Sequence, residues 1–204
     1  MSRRAILALL SVLAPMSAGA AEPVVVGTVS GLAGTPSISA AGGPAVTAAR
    51  GMSLHVGDRV VTGPGGRLEI LAADGTTIAI GESTTVVLTR FVAPRGARPG
   101  SALLDLIEGI LRMRLPRSWD RFEVSTGTAV ASVRSTDWLI EAAADNTAVF
   151  VAEGRVQVVN RAMTGGLLLD AGFGTDVKAN ALPTTPKRWG QARVDSAVAR
   201  TNLP

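Results

Sequence analysis

The chain has 204 residues, with 20 Lys and Arg against 16 Asp and Glu, a single His and neither Cys nor Tyr. Without Cys it forms no disulfide and carries no Cys-borne lipid anchor, and one His leaves little from which to build a zinc site or a nucleophilic triad. An aromatic share of 3% is too sparse for the stacked rings that bind single-stranded nucleic acid, so nucleic acid is not an expected partner and no cofactor is implied.

The chain opens on an address. Arg3 and Arg4 precede the apolar run Ala5 to Ala14, Pro15 breaks it, and Ala18-Gly19-Ala20 is a small-residue cleavage site. Residues 1–20 therefore read as a secretory signal peptide. The run is far shorter than the ~20 residues of a spanning helix, and no later stretch qualifies, so no membrane span is expected after signal removal. Ser2-Arg3-Arg4-Ala5-Ile6-Leu7 has a twin-arginine flavour, but the very short charged region favours Sec export. The expected location is the periplasm, with secretion as the alternative. Cleavage takes both arginines and lowers the net charge from +4 to +2. What positive charge remains is almost all Arg, since Lys178 and Lys187 are the only lysines.

From residue 24 to residue 179 the texture is uniform, and one all-β domain is predicted over that span. The first corner is His55 to Gly57-Asp58, where His55 reads as a surface turn residue. Gly63-Pro64-Gly65-Gly66 follows as a turn; it neither ends in Gly-Lys-Ser/Thr nor opens a helix, as a phosphate loop would. Leu68 and Ile70 then alternate with Glu69, and Asp74-Gly75 closes that run. Pro94 to Gly100 is a flexible loop. Leu104 to Arg114 centres on Glu108-Gly109 and carries Arg112 and Arg114 on one face, opposite Leu111 and Met113. Phe122 and Val124 alternate with Glu123 and Ser125. Val149 to Val159 centres on Glu153-Gly154, with Val156 and Val158 opposite Arg155 and Gln157. Gly165-Gly166 is another turn. Each alternating run should bury one face and wet the other. The three acid-glycine corners fit either hairpins or successive corners of a solenoid, so the predicted fold is a short-stranded, twisted stack, solenoid-like or sandwich. The tail from residue 180 to 204 contains Pro183, Pro186 and Pro204. It reads as partly disordered or as one short helix over 191–201, with Val194, Ala197 and Val198 on one face.

Several pieces in this order resemble the FecR family of cell-envelope proteins. Gly57-Asp58-Arg59-Val60-Val61-Thr62-Gly63 is similar to that family's Gly-Asp-x-Val-x-Thr-Gly, and Arg67 to Ile70 with Asp74-Gly75-Thr76 is similar to its strand leading into Asp-Gly-Ser/Thr. Val133-Arg134-Ser135-Thr136-Asp137-Trp138 resembles its Val-Arg-Gly-Thr-x-Phe signature, and Glu153-Gly154-Arg155-Val156 and Ala171-Gly172 follow. Ser135 stands where the family usually has Gly, and Trp138 where it usually has Phe. The resemblance implies a β-rich stack in the envelope and no catalysis. Signalling members add a cytoplasmic sigma-contacting segment and a membrane helix before the exported part. The sigma-regulating role is therefore not carried over here.

The candidate binding residues are Arg112, Arg114, Arg134 and Trp138. Arg134 follows an apolar run, and a guanidinium near a core must be paired, so it is expected to clamp strand-end carbonyls or a carboxylate such as Asp137 or Glu153. Trp138 is expected over the end of the core, with sugar stacking as the sharper alternative. Arg90, Arg95, Arg98, Arg112, Arg114, Arg117 and Arg121 outnumber the nearby acids and suggest a basic ridge for anionic envelope material. Gly57, Asp58, Asp74, Gly75, Thr136, Glu153 and Gly154 read as turn and motif residues, because an Asp or Glu beside Gly caps backbone amides. No acid pair stands out as a hydrolase would need, and no loop has calcium-site density. The function expected is a non-enzymatic envelope binding module, a scaffold or sensing accessory whose partner is an envelope protein. The alternative is a wall-polymer or polysaccharide binder using the Arg face and Trp138; a carboxylate-pair hydrolase is the remote third.

Overall fold

The structure is a computed structural model and describes residues 23–116 and 119–204; the signal-peptide segment 1–20 and Arg117 lie outside them. The chain shuttles between two sheets. β1 (Val25–Ala33) lies in sheet A, β2 (Ser37–Ser39) and β3 (Ala45–Thr47) in sheet B, β4 (Ser53–His55) in A and β5 (Arg59–Val61) in B. β6 (Arg67–Leu71) and β7 (Thr77–Ile80) return to A, and β8 (Thr85–Val92) goes to B. β9 (Gly100–Arg114) begins in B and ends in A. β10 (Trp119–Ser125) and β11 (Ala129–Val133) lie in B, β12 (Asp137–Ala142) and β13 (Asn146–Glu153) in A. β14 (Arg155–Asn160) and β15 (Gly166–Asp170) lie in B, and β16 (Phe173–Lys178) and β17 (Lys187–Arg188) in A, before the helix α1 (Gln191–Thr201).

Across sheet A the order is β4-β1-β6-β7-β9-β12-β13-β16-β17, antiparallel throughout. Across sheet B it is β3-β2-β5-β8-β9-β10-β11-β14-β15, antiparallel except for the parallel β9–β10 pair. The long strand β9 is common to both, so the strands form one continuous ladder folded back on itself.

Alternation puts every second residue between the sheets. Ile78, Ile80, Leu111, Met113, Trp138 and Ile140 from A meet Leu88, Leu104, Leu106, Phe122, Val124 and Val158 from B in one core. The pairs read from sequence behave as the period of two requires: Leu68 with Ile70, Phe122 with Val124, and Val156 with Val158 are all buried. The three acid-glycine corners divide into both kinds. Asp74-Gly75 closes a hairpin between β6 and β7 within one sheet. Glu108-Gly109 bends β9 from B into A, and Glu153-Gly154 carries the chain from β13 in A to β14 in B.

Threonine hydroxyls satisfy backbone groups where the chain changes sheet. Thr62 Oγ1 donates to the Gly81 carbonyl at 2.6 Å and accepts the Thr84 N–H at 2.9 Å; Thr84 Oγ1 in turn accepts the Ile110 N–H at 2.9 Å. At another corner Thr147 Oγ1 lies 2.7 Å from the hydroxyls of both Thr126 and Thr128. A hydroxyl both donates and accepts, which suits corners where neither ladder continues.

α1 lies on the outer face of sheet A. Ala197, Val194 and Val198 pack on Ile110, Leu139 and Phe150, and Trp189 stacks on Phe150 with ring centroids 4.9 Å apart. Arg200 fastens the end of the helix: its side chain pairs with Glu82 and Glu141, and its carbonyl accepts from Arg67 Nε at 3.0 Å. Among the described residues no helix is long and apolar enough to cross a membrane.

Candidate functional site

The signature segment links β11 to β12. Thr136 is buried, donates from Oγ1 to the Arg155 carbonyl at 3.2 Å, and accepts the Leu115 N–H on its own carbonyl at 3.2 Å. Gly154, at φ +84°, packs directly against it: a Cβ there would lie 2.7 Å from the Ser135 carbonyl oxygen and 3.1 Å from Thr136 Oγ1. The signature and the Glu153-Gly154 piece, 18 residues apart in sequence, are thus two halves of one corner. Ser135 is not among the residues with positive φ, so replacing the family's glycine demands no left-handed backbone here.

The other motif residues close turns. Gly57, at φ +94°, donates its N–H to the Leu88 carbonyl at 2.8 Å, and Asp58 accepts the His55 N–H at 2.8 Å. Beside Gly75, Asp74 accepts the Thr76 N–H at 3.0 Å, the Thr76 hydroxyl at 2.9 Å and the indole N–H of Trp119 at 2.9 Å. The hairpin corner of sheet A is thereby tied to the first strand after the β9 crossover.

Three expectations are corrected. Arg134 is not a buried clamp. β11 points Val133 into the core, and the chain turns at Arg134, whose side chain is 81% exposed with Asp120 4.0 Å away as its ion-pair partner. Arg134→Ala should therefore shift stability by no more than about 0.5 kcal/mol in urea unfolding. The clamp is Arg112. Its side chain is largely buried, and it grips Asp137 with both edges of the fork, Nε to Oδ1 at 2.9 Å and a terminal nitrogen to Oδ2 at 2.8 Å; Arg114 Nε adds a contact at 3.2 Å. A double-mutant cycle on Arg112→Ala and Asp137→Ala should give a coupling of about 1–3 kcal/mol, against a few tenths for Arg134 with Asp120.

The basic ridge is the second correction. Arg112 and Arg114 share Asp137 on the outer face of sheet A, whereas Arg90 and Arg121 share Glu123 on sheet B. The arginines that neighbour one another in sequence are split between opposite faces, because β9 changes sheet between them. Trp138 is the third. It is wholly buried between the sheets, so no sugar ring can stack on it, and its indole N–H has no acceptor among the described residues.

The described surface instead has a trough of about 760 Å³ on the outer face of sheet B, across β10, β11, β14 and β15. Val130, Val159 and Leu168 form an apolar band on its floor, with Met163 at one end, and Arg121, Arg134 and Arg155 stand around the rim. Met163 and Leu168 are respectively 68% and 54% exposed. Each rim arginine lies near an acid: Arg121 is 3.7 Å from Glu123, Arg134 is 4.0 Å from Asp120, and Arg155 is 2.8 Å from Asp170. The rim is therefore charged but largely self-compensated. An open, half-apolar trough of this kind suits an extended chain or a partner's flank. Of its residues, Arg134 was read from sequence as a binding candidate, Arg121 as part of the ridge, Ser135 and Gly154 as motif residues, and Glu123, Arg155 and Gln157 only as outward strand positions. Val130 and Val159 carry a readable signal, an apolar residue on the outward phase of a strand, but which strands stand side by side comes only from the register that places them opposite each other. Among the described residues, no three His, Asp or Glu side chains converge as a metal site would require.

Residues 58–157 match the family model described as FecR protein. This chain carries a FecR domain. The match runs from the Asp58 turn to Gln157 of β14 and so includes the signature corner, the β9 crossover and most of the trough, all but Val159, Met163 and Leu168. Two crystal structures of a protein described as a "putative anti-sigma factor" from Parabacteroides distasonis ATCC 8503 resemble this one, with TM-scores of 0.56 and 0.55 at 19% and 18% identity. They match over 69% of this chain and 63% and 64% of theirs, so the shared part is under two thirds of those proteins. At that identity the likeness establishes a common fold. No curated protein matches the sequence.

Proposed function

We propose that this FecR-domain protein is a non-catalytic interaction module of the cell envelope, and that its working surface is the trough on sheet B. One observation carries the reading. The two outer faces of the stack are finished differently: sheet A is covered by α1 and locked there by Arg200, whereas the trough half of sheet B keeps an apolar band open to solvent. Exposed apolar surface framed by polar residues is a usual mark of an interaction site. The FecR family supports a sensing or regulatory use of such a surface, and export to the periplasm follows from the reading of residues 1–20 as a signal peptide.

A protein partner fits better than an anionic polymer. Polymer binding would draw on uncompensated positive charge, and the rim arginines already face Asp120, Glu123 and Asp170. The test is capture from a periplasmic extract on the immobilised chain, in low salt and in about 1 M salt, where exposed charge attractions are screened within ~3 Å. A protein ligand is expected that survives high salt and is lost from a Val130→Asp/Val159→Lys variant: both side chains are only half-buried, and the new charges are opposite in sign where the two positions face each other across β11 and β14. Binding that disappears in salt and ignores those two changes would instead mark the trough as a polymer site.

A further inference from the structure

Among the described residues the stack has four edge strands, and three are blunted. β3 and β4 are three residues each, and β17 is Lys187–Arg188 alone, short and charged. Short edges and edge lysines are how sheet proteins avoid pairing with one another. β15 has neither defence. It is five residues long, reads Gly-Leu-Leu-Leu-Asp, contains no Pro or Lys, and pairs along one side, with β14.

The polarity of its free side follows from the ladder. The Asn160 N–H bonds to the Gly165 carbonyl at 3.0 Å, which makes Asn160–Gly165 a hydrogen-bonded pair. Such pairs recur at every second position of an antiparallel ladder. Leu167 and Leu169 therefore turn their backbone groups to β14, and Gly166, Leu168 and Asp170 turn theirs outward. Three exposed apolar side chains gather at this edge: Leu168, Met163 in the β14–β15 turn, and Leu182, which lies over Gly165.

We propose that β15 is a self-association strand: two copies of this chain pair antiparallel through it about a two-fold axis at Leu168, joining their B sheets edge to edge. The sequence of β15 is complementary to itself in that register. Leu168 meets Leu168, Leu167 meets Leu169, and the single charge, Asp170, falls opposite Gly166, so no like charges face each other. Asp170 keeps Arg155 at 2.8 Å on its own copy. The pairing makes about six backbone hydrogen bonds, two for each of three hydrogen-bonded pairs, and the same patch serves both copies, as a two-fold interface requires. A five-residue ribbon covers well under the ~800 Å² per partner of a standard stable interface, so the dimer is a weak one that grows with concentration. Pairing at the edge leaves the outer face open and sets the two troughs side by side. It does not rest on the trough being the working surface.

Sedimentation velocity from about 1 µM to about 500 µM tests it, a range wide enough for an interface below standard size. The wild-type chain is expected to shift from monomer towards dimer. Leu168→Lys, which sets two ammonium groups against each other in the pair but leaves an exposed side chain in the monomer, should weaken dimerisation at least tenfold at an unchanged melting temperature. A wild-type chain that stays monomeric at the highest concentration, or a variant that dimerises equally well, would overturn the proposal. The absence of native cysteine gives a second readout that does not depend on the Lys variant folding. In a hydrogen-bonded antiparallel pair the two Cα atoms stand ≈ 5.5 Å apart, within disulfide reach, so Leu168→Cys should cross-link rapidly under mild oxidation, whereas Val46→Cys on the edge strand β3 should not. Equal cross-linking at the two positions would mean random collision and would equally sink the idea.

Discussion

Gly109→Ala should destabilise the protein by roughly 4–7 kcal/mol, enough to leave much of it unfolded at ordinary temperature. Gly109 sits where β9 leaves sheet B for sheet A, with φ at +95°. An added methyl would meet Thr84 Cα at 2.5 Å and the Ser83 carbonyl oxygen at 2.7 Å, and would drive into the Thr84 hydroxyl. The obstacle is backbone, which cannot swing aside. Any retreat breaks the Thr84 bond to the Ile110 N–H and the Thr62 bond to the Thr84 N–H behind it. Left-handed strain costs about 1–2 kcal/mol for a residue with a Cβ, overpacking a further 1–3, and each lost buried bond about 1. Gly75, at the hairpin corner, has φ +85° but open space around its would-be Cβ. Gly75→Ala should then cost only the backbone strain, about 1–2 kcal/mol. Urea denaturation of the two variants side by side separates the corner that joins the sheets from the one that merely turns a hairpin; equal losses would contradict the special place given to β9.

Trp138→Ala should cost about 3–5 kcal/mol, as expected for emptying the space of a wholly buried aromatic, and Trp138→Phe less than about 1.5. Trp138 lies between Met113 of β9 and Val151 of β13 and has no exposed surface. Its ring supplies core volume, while its indole N–H contributes nothing, having no acceptor among the described residues. Phe loses some volume but also removes a buried donor whose desolvation costs about 1–3 kcal/mol, so the two effects offset. A Phe variant as unstable as the Ala variant would show that the N–H does have a partner.

The β content and the inward residues were legible because both follow from a period of two. Phe122 and Val124 alternate in sequence and alternate in burial. The acid-glycine corners were legible as corners, but not as to kind. Nothing local tells Asp74-Gly75, which stays within a sheet, from Glu108-Gly109, which leaves one. That difference arises because β9 runs on for 15 residues with partners in both sheets. Arg134 shows the opposite failure. An arginine after an apolar run suggests a buried charge, yet the strand ends at Val133 and the next side chain goes to water. Arg112 looked like part of an open ridge because its partner, Asp137, stands 25 residues away and meets it only through the β9–β12 register. The helix face of Val194, Ala197 and Val198 was visible, but its dock on Ile110, Leu139 and Phe150 was not, since two of those three sit on strands read as having a core face alone. The trough was hidden for the same reason: Val130 and Val159 become one surface only when β11 and β14 lie side by side.

One outer face of the molecule is covered by its own helix, and the other is free to work. A photo-reactive amino acid placed at Ser132, in the trough, and at Thr77, on the outer face of sheet A beside the C-terminal residues, and activated in living cells tests this directly. Discrete protein adducts from position 132 and none from position 77 are the expected result. Adducts from 77 with a silent 132 would show that the chain works through the face its own helix covers.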